Sequence, residues 1–330
     1  MKKLTVFFVL LSTILLIPIH SHAFAKLAQA GFKFLDIGIG ARPAAMGEAF
    51  VVVGNDANAI FYNPAGLAQV DSKFDFSVSV TKWIADISYN AAGLVINAGN
   101  WGNFGVSVIS PDYGAVTGTR VAPTEKGFEE TGQLDVGAFA LGFSYGRQLT
   151  DKFRVGGQIK YTSQHLGSNE VVGPEEALET SENKLSTLAY DFGTIFYPRF
   201  GGFESFGFGM SIRNFSPEVK YLEAGFQLPL TYTLGFAMDI LDFFGEHPDN
   251  SFVVDIDAVH PRDYTERLHV GGEFWYKNML ALRGGYKFNY DEEGITLGVG
   301  INAGGIKLDY AYSEFGVFDV VNRVSLGMSF

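Results

Sequence analysis

Most of this chain after residue 70 alternates with a period of two between bulky apolar residues and polar residues or glycine. From Lys152 to Thr162, for example, one face reads Phe153, Val155, Gly157, Ile159 and Tyr161, and the other reads Lys152, Arg154, Gly156, Gln158, Lys160 and Thr162. Successive side chains of a β-strand point to opposite faces, so this period indicates strands. A soluble β-sandwich alternates as well. Here, however, the polar face repeatedly carries charges and glycine, a pattern typical of strands with lipid outside and a polar interior.

The composition also favours an apolar surface that does not face water. The chain is 47% hydrophobic and 15% aromatic, whereas only 18% of its residues are charged; soluble domains usually carry about 25% charged residues. No apolar stretch after Ala25 is long enough for a transmembrane helix. Because every backbone polar group must be satisfied in lipid, the remaining solution is a closed β-barrel. We therefore predict an all-β, transmembrane antiparallel barrel.

Fourteen segments show the alternation, an even number of the kind that bacterial single-chain barrels have. They are 74–80, 88–98, 103–109, 134–148, 152–165, 185–198, 206–213, 230–240, 251–259, 265–276, 279–288, 294–303, 305–313 and 320–330.

The lengths of the connections test this assignment, because such barrels have short periplasmic turns and longer external loops. With 74–80 running outward, the periplasmic turns fall near 99–102, 149–151, 199–205, 241–250, 277–278 and 303–304. The external loops then fall near 81–87, 110–133, 166–184, 214–229, 260–264, 289–293 and 314–319. The three longest, 110–133, 166–184 and 214–229, all lie on the external side, as the class requires.

The last segment ends in an aromatic residue with regular alternation. One face carries Val324, Leu326, Met328 and Phe330, and the other carries Arg323, Ser325, Gly327 and Ser329. This ending resembles the C-terminal signal by which the barrel-assembly machinery recognises outer-membrane barrels for insertion. We therefore expect that machinery and outer-membrane lipid to be partners of the chain.

The first 25 residues are typical of a secretory signal peptide. Lys2 and Lys3 precede an apolar run from 4 to 19, and a small, polar stretch ends at Ala25, after which we expect cleavage; Ala23 is the second choice. A membrane anchor is the alternative, but the run is short and Pro18 interrupts it. The absence of cysteine excludes a lipoprotein anchor and disulfides. Loss of both lysines would move the net charge from −12 to −14, which argues against a nucleic-acid partner.

Residues 26–72 do not alternate in the same way. They contain two blocks, Gly38–Phe50 and Asn63–Ala68, that are rich in small residues, with a helical turn expected around Asp56–Phe61. Small side chains allow close packing, so this segment could fill the lumen as a plug or hatch; a periplasmic lead-in is the alternative. The predicted organisation is a signal peptide over 1–25, a hatch over 26–72 and a barrel over 73–330.

The two blocks together resemble the N-terminal region of the PorV/PorQ family of outer-membrane proteins. The first block supplies Gly38, Gly40, Ala41, Arg42, Met46, Gly47 and Phe50, and the second supplies Asn63, Pro64, Ala65 and Gly66. The Asn-Pro-Ala element is also similar to that of long-chain fatty-acid transporters of the FadL type. That resemblance implies a fourteen-stranded barrel, plugged by an N-terminal hatch, in the outer membrane of a Gram-negative bacterium.

No catalytic motif stands out. The chain has no G-x-S-x-G elbow, H-E-x-x-H pair or P-loop, and its histidines after residue 25 are scattered, so we predict neither an enzyme nor a cofactor or metal site. Asp255 and Asp257 share one strand face; placement in the lumen or in solvent is favoured over an ion site.

Two functions follow from the resemblance. In the first, the chain is an accessory component of type IX protein secretion that receives or shuttles cargo proteins at the outer membrane. In the second, it is a FadL-like transporter for hydrophobic small molecules such as fatty acids. The PorV/PorQ resemblance favours the first, with type IX components and cargo proteins as partners.

Overall fold

A computed structural model describes residues 30–172, 178–199, 204–221, 225–245 and 247–330. The predicted signal peptide, its cleavage after Ala25 and residues 26–29 of the predicted hatch lie outside the described residues. None of the helices within the described ranges is both long and apolar enough to cross a membrane.

The described residues form eighteen strands. In chain order they are β1 (Phe74–Lys82), β2 (Ser88–Asn97), β3 (Asn103–Asp112), β4 (Val116–Val121), β5 (Phe128–Leu134), β6 (Val136–Gln148), β7 (Phe153–Val172), β8 (Leu178–Phe196), β9 (Gly207–Phe215), β10 (Val219–Lys220), β11 (Gly225–Phe226), β12 (Thr231–Asp239), β13 (Ser251–Pro261), β14 (Arg267–Tyr276), β15 (Leu280–Phe288), β16 (Glu293–Ala303), β17 (Ile306–Phe315) and β18 (Val320–Ser329).

Fourteen of these strands close into one antiparallel barrel, in the order β1-β18-β17-β16-β15-β14-β13-β12-β9-β8-β7-β6-β3-β2. The first and last strands pair along their length, from Asp75 opposite Ser329 to Lys82 opposite Asn322, so the barrel has no free edge. Each of the fourteen predicted segments overlaps one barrel strand. The predicted class and strand number are therefore confirmed.

The strand bounds differ from the prediction at one end of the barrel. β7 and β8 continue to Val172 and from Leu178, far into the predicted 166–184 loop, with a bulge between His165 and Ser168. The 110–133 loop contains the β4–β5 hairpin, and 214–229 contains the short β10–β11 pair. The alternation of apolar and polar residues is weak in these stretches because the paired strands there do not lie between lipid and the lumen. We call this the long-loop end and the opposite one the short-turn end.

The two faces of the wall have opposite character. On β18, Val324, Leu326, Met328 and Phe330 point outward and are 41% to 67% exposed, whereas Arg323 and Ser325 are buried on the inner face. On β16, the apolar Ile295, Leu297, Val299 and Ile301 point outward in the same way. Outward apolar side chains and inward polar ones are what a wall in contact with lipid requires.

Residues 30–72, hereafter the inner segment, lie within the barrel. They form the helix α1 (Ala41–Ala45) and 3₁₀ helices over Lys33–Leu35, Ala57–Phe61 and Pro64–Gln69. The Asp56 side chain accepts a hydrogen bond from the backbone N–H of Asn58 and begins the Ala57–Phe61 helix. This helix matches the turn expected there.

The inner segment runs from one end of the barrel to the other. At the long-loop end, the Gly31 N–H donates to the Gln227 carbonyl at 3.1 Å. At the short-turn end, the Asn97 side chain donates to the Val70 carbonyl at 3.1 Å. Between them the segment contacts the inner faces of strands on opposite sides of the barrel, among them β7, β8 and β17.

Candidate functional site in the barrel lumen

Arg42 is the centre of the polar contacts between the inner segment and the wall. Its guanidinium donates two hydrogen bonds to the two carboxylate oxygens of Glu273 on β14, at 2.8 and 2.7 Å. The remaining nitrogen donates to Asn55 and Asp56, each at 2.7 Å. Arg42 and Glu273 are both buried. A paired, fork-shaped bond of this kind is strong and directional, so it fixes where the segment lies against the wall.

The Arg42 contact continues into the wall as a chain of alternating charges. Arg283 on β15 donates from Nε to Glu273 and from a terminal nitrogen to Asp309 on β17, both at 2.6 Å. Glu273 is therefore shared by one arginine of the inner segment and one of the wall. Buried charges are tolerated only when paired in this way, so removing one member would leave its partners uncompensated.

A second contact joins the backbone of the inner segment to β13. One carboxylate oxygen of Asp257 accepts hydrogen bonds from the N–H groups of Phe50 and Val51, at 2.8 and 3.1 Å. Asp255, two residues away on the same inner face, is also buried. Both aspartates lie in the lumen, which is one of the two placements favoured over an ion site. Asp257 thereby lets β13 hold two adjacent backbone donors that would otherwise be unpaired.

The Asn63-Pro64-Ala65-Gly66 block turns the inner segment against β7 and β8. The Asn63 side chain accepts from the Ala65 N–H at 3.1 Å and donates to the Val51 carbonyl at 2.8 Å and to Thr194 on β8 at 3.3 Å. Asparagine can do both because its amide has an acceptor and two donors. The block thus ties together two parts of the inner segment and the wall.

Glycines in the wall make room for that turn. A Cβ atom on Gly156 would lie 2.3 Å from the Pro64 carbonyl carbon and oxygen, and one on Gly193 would lie 1.7 Å from the Asn63 oxygen. Gly66 itself could not carry a side chain, since its Cβ would lie 2.6 Å from the Gly54 carbonyl oxygen. The glycines on the polar faces of these strands are therefore explained by close backbone approach.

The Gly38–Phe50 block packs against the opposite wall. The Met46 backbone approaches Gly271 and Gly285, where an added Cβ would lie 2.2 and 2.8 Å from the Met46 carbonyl oxygen. Gly47 follows with φ of +63°, a left-handed conformation that glycine adopts without strain. The block therefore reverses direction at a point where the wall leaves no space for side chains.

The remaining motif residues also lie in buried contacts. The Ala41 N–H donates to Ser325 on β18 at 2.8 Å, and the aromatic rings of Phe50 and Tyr62 pack edge to face with centroids 5.4 Å apart. Gly38 packs against the Glu48 carboxylate, and Gly40 has φ of +89°. The motif residues thus lie along one continuous buried segment, whereas Val324, Leu326, Met328 and Phe330 lie outside, on the lipid-facing surface. Their role as insertion signal stays a prediction.

Sequence reasoning did not single out Glu273, Arg283 or Asp309. Each lies on the polar face of its strand, among residues such as Gly271 and Gly285 that alternation assigns to the lumen. A charged residue on the inward face of a predicted barrel strand was the available signal. However, this signal does not indicate which charged side chains contact one another unless the order of the strands around the barrel is known.

The inner segment separates two cavities. The cavity at the long-loop end has a volume of about 190 Å³ and includes Lys33, Glu48, Arg267 and Tyr290 in its lining. The cavity at the short-turn end has a volume of about 470 Å³ and includes Arg42 and Glu273. The two share no lining residue. Both are lined by charged groups, so neither is an apolar route through the barrel.

No three carboxylate or histidine side chains within the described ranges are placed to hold a metal ion.

At the long-loop end, the charged groups pair with one another. Burial by itself would lower the pKa of Lys33, but the carboxylates of Asp36 and Asp263, at 3.0 and 3.1 Å, raise it above its usual value. Lys33 therefore stays charged and ties the start of the inner segment to the β13–β14 loop.

A closed fourteen-stranded wall with apolar outer faces and a polar lumen defines this protein as an outer-membrane β-barrel. A family model described as "Type IX secretion system protein PorV" matches residues 23–258. The chain therefore belongs to the PorV family, which confirms the resemblance carried by the two motif blocks and indicates the outer membrane as its location.

Solved structures share the fold at low sequence identity. The toluene transporter TbuX of Ralstonia pickettii is 15% identical, with a TM-score of 0.59 over 89% of this chain and 98% of that one. The toluene transporter TodX of Pseudomonas putida is 14% identical, with a TM-score of 0.58 over 88% and 97%. A FadL homologue of Pseudomonas aeruginosa is 14% identical, with a TM-score of 0.56 over 93% and 100%. No curated protein sequence matched the chain significantly.

Proposed function

We propose that this barrel is an accessory component of type IX secretion that receives exported cargo proteins at the long-loop end. Membership of the PorV family carries the proposal. The architecture is consistent with it, because the strands at this end extend as hairpins beyond the closed wall. Long loops on a rigid scaffold are where a barrel presents contacts to partners. Because short turns face the periplasm in this class, the long-loop end faces the outside.

The inner segment supports a role in binding rather than in conduction. Arg42, Asp257 and Asn63 fix it to three different parts of the wall through buried hydrogen bonds. It separates the two larger cavities, so a solute would need to displace it in order to pass. We therefore propose that residues 26–72 act as a plug that closes the lumen while the outer surface works as a docking platform.

Transport of hydrophobic compounds is the second candidate function, favoured by the fold shared with the toluene transporters and the FadL homologue. It requires the inner segment to move and an apolar route to open. Saturable uptake of a fatty acid or of toluene, dependent on this protein, would favour this candidate over the first.

The β4–β5 hairpin offers a direct test of cargo reception. In a strain that lacks the protein, we would express either the full chain or a variant in which a short Gly-Ser turn replaces residues 116–134. Residues 116–134 protrude from the wall, so the variant barrel should assemble and keep its heat-modifiable migration in gels. A matched control would carry Asp249→Ala, since this exposed residue lies in a turn at the opposite end of the barrel.

We expect the deletion strain to retain type IX cargo inside the cell, the hairpin variant to restore secretion only weakly, and the control to restore it fully. A deletion strain that still secretes and anchors all its cargo would refute the proposed function. A hairpin variant that restores secretion fully would show that cargo does not dock on this hairpin.

A further inference from the structure

The cavity at the long-loop end contains two arginines without a carboxylate partner. Its lining includes four cationic side chains, of which Lys33 is paired with Asp36 and Asp263, and Lys287 is paired with Glu48 and Glu293. Arg213 and Arg267 make no such ion pair with the described residues. Each acidic side chain that lines the cavity is therefore already paired with a lysine, and two guanidinium groups without a carboxylate contact are left for an added anion.

Arg267 packs against two aromatic rings at the cavity. Its guanidinium carbon lies 4.3 Å from the ring centroid of Tyr264 and 3.9 Å from that of Tyr290. Its Nε is buried and has no hydrogen-bond partner among the described residues. A buried donor without a partner costs free energy, so hydrogen bonds within the described residues do not account for the position of Arg267.

Arg213 approaches the same cavity from β9. One nitrogen donates to the Phe61 carbonyl of the inner segment at 3.0 Å, and the guanidinium carbon lies 5.6 Å from the Tyr62 ring. These contacts fix its position, and neither of them involves a carboxylate. A planar guanidinium suits a carboxylate, which accepts two parallel bonds.

The rest of the lining sets the size and character of the ligand. Trp83, Ile37, Val259 and Pro261 supply apolar surface beside the charged groups. The volume is about 190 Å³, and a cavity of about 150 Å³ holds a benzene ring. Burial raises the pKa of Tyr290 to about 12, so its hydroxyl keeps its proton and itself adds no negative charge to the cavity.

We propose that this cavity binds a small organic carboxylate of about the size of benzoate, with the carboxylate at Arg267 and Arg213 and the ring against the apolar wall. The site lies in the long-loop half of the lumen, so the ligand would enter from outside. This inference goes beyond cargo reception and does not depend on it. Failure of the binding test below would leave the secretion test untouched.

The test titrates the purified, full-length barrel in detergent micelles with 4-fluorobenzoate and follows ligand binding by ¹⁹F NMR. The neutral 4-fluorobenzyl alcohol has a similar shape and tests the need for charge, and inorganic phosphate as competitor tests for a general anion site. Arg267→Gln and Arg213→Gln each remove one proposed contact. Arg262→Gln is the matched control, because this arginine is exposed on the loop that precedes β14 and does not line the cavity.

We expect saturable binding of 4-fluorobenzoate, at least tenfold weaker binding of the alcohol, and no displacement by equimolar phosphate. Each of the two cavity substitutions should weaken binding at least tenfold, and Arg262→Gln should leave it unchanged. Heat-modifiable migration would verify that each variant is folded. If Arg267→Gln does not fold, the binding affinity of Arg213→Gln tests the proposal by itself. Absence of saturable binding, equal binding of the alcohol, displacement by phosphate, or an equal loss in the control would overturn the proposal.

Discussion

The Arg42 guanidinium of the inner segment holds both carboxylate oxygens of Glu273 in the barrel wall, at 2.8 and 2.7 Å. The two residues are 231 positions apart in the chain. Glu273 also accepts a hydrogen bond from Arg283. Arg42 therefore joins the inner segment to a network of charged wall residues, which lie on different strands and meet only in the closed barrel. We expect this contact to determine how firmly the inner segment is held against the wall.

Removal of the Arg42 charge should loosen the inner segment. Arg42→Gln leaves Glu273 with one buried partner fewer, and breaking a buried pair typically costs about 3–5 kcal/mol. We expect unfolding in urea at a lower concentration, measured by tryptophan fluorescence in micelles. Arg120→Gln, at an exposed ion pair, should cost less than about 1 kcal/mol. Equal effects of the two substitutions would contradict the central place given to Arg42.

Asp257 should control the local stability of residues 50 and 51. Asp257→Ala leaves the N–H groups of Phe50 and Val51 without an acceptor, at a cost of about 1–3 kcal/mol for each unpaired group. Hydrogen exchange measured by mass spectrometry should become faster in peptides that cover these residues. Asp257→Asn keeps an oxygen acceptor and should show a smaller change. The exposed Asp249→Ala serves as control, and exchange that stays slow in Asp257→Ala would show that the carboxylate does not hold this backbone.

Two neighbouring glycines on β7 should respond in opposite ways to alanine. The Cβ of Gly156→Ala would lie 2.3 Å from the Pro64 backbone, whereas that of Gly157→Ala would lie 3.6 Å from its nearest neighbour. Because the chain has no cysteine, Ala65→Cys provides a unique label site in the buried turn. We expect fast maleimide labelling of the introduced thiol with Gly156→Ala and slow labelling with Gly157→Ala. Equal labelling rates would mean that the inner segment does not need the space above Gly156.

Phe330 should matter for assembly. Its ring lies 5.3 Å from that of Phe74 on the outer surface, where β18 closes against β1. If it is the insertion signal, Phe330→Ala should reduce the amount of heat-modifiable barrel in the outer membrane several-fold. Trp101→Ala, which removes another exposed aromatic at the short-turn end, should reduce it less. Normal levels of assembled Phe330→Ala would refute the signal assignment.

The barrel strands were predictable because lipid on one side and a polar lumen on the other impose a period of two on each. Segments such as 294–303, with Ile295, Leu297, Val299 and Ile301 on one face, carry this pattern within ten residues. The hairpin strands β4 and β5 are not in contact with lipid, so their sequence lacks the pattern and predicts a loop.

The contacts of the inner segment were harder to predict. The motif blocks marked Arg42 and Asn63, but their partners Glu273 and Thr194 lie on strands that meet them only once the barrel has closed. A single sequence records which residues are polar on an inward face, but it does not record which of them lie across the lumen. The same holds for Arg213 and Arg267, which come from different strands and line one cavity.

Site-specific photo-crosslinking would test cargo reception most directly. Val121 lies on the β4–β5 hairpin and is 94% exposed, so a photoreactive residue placed there would face the outside without disturbing the wall. The same residue at position 101, in a turn at the opposite end, is the control. Cargo proteins with a type IX sorting domain should crosslink to position 121 and not to position 101 in living cells. Crosslinks to position 101 alone, or none to cargo from either position, would contradict reception of cargo at the long-loop end.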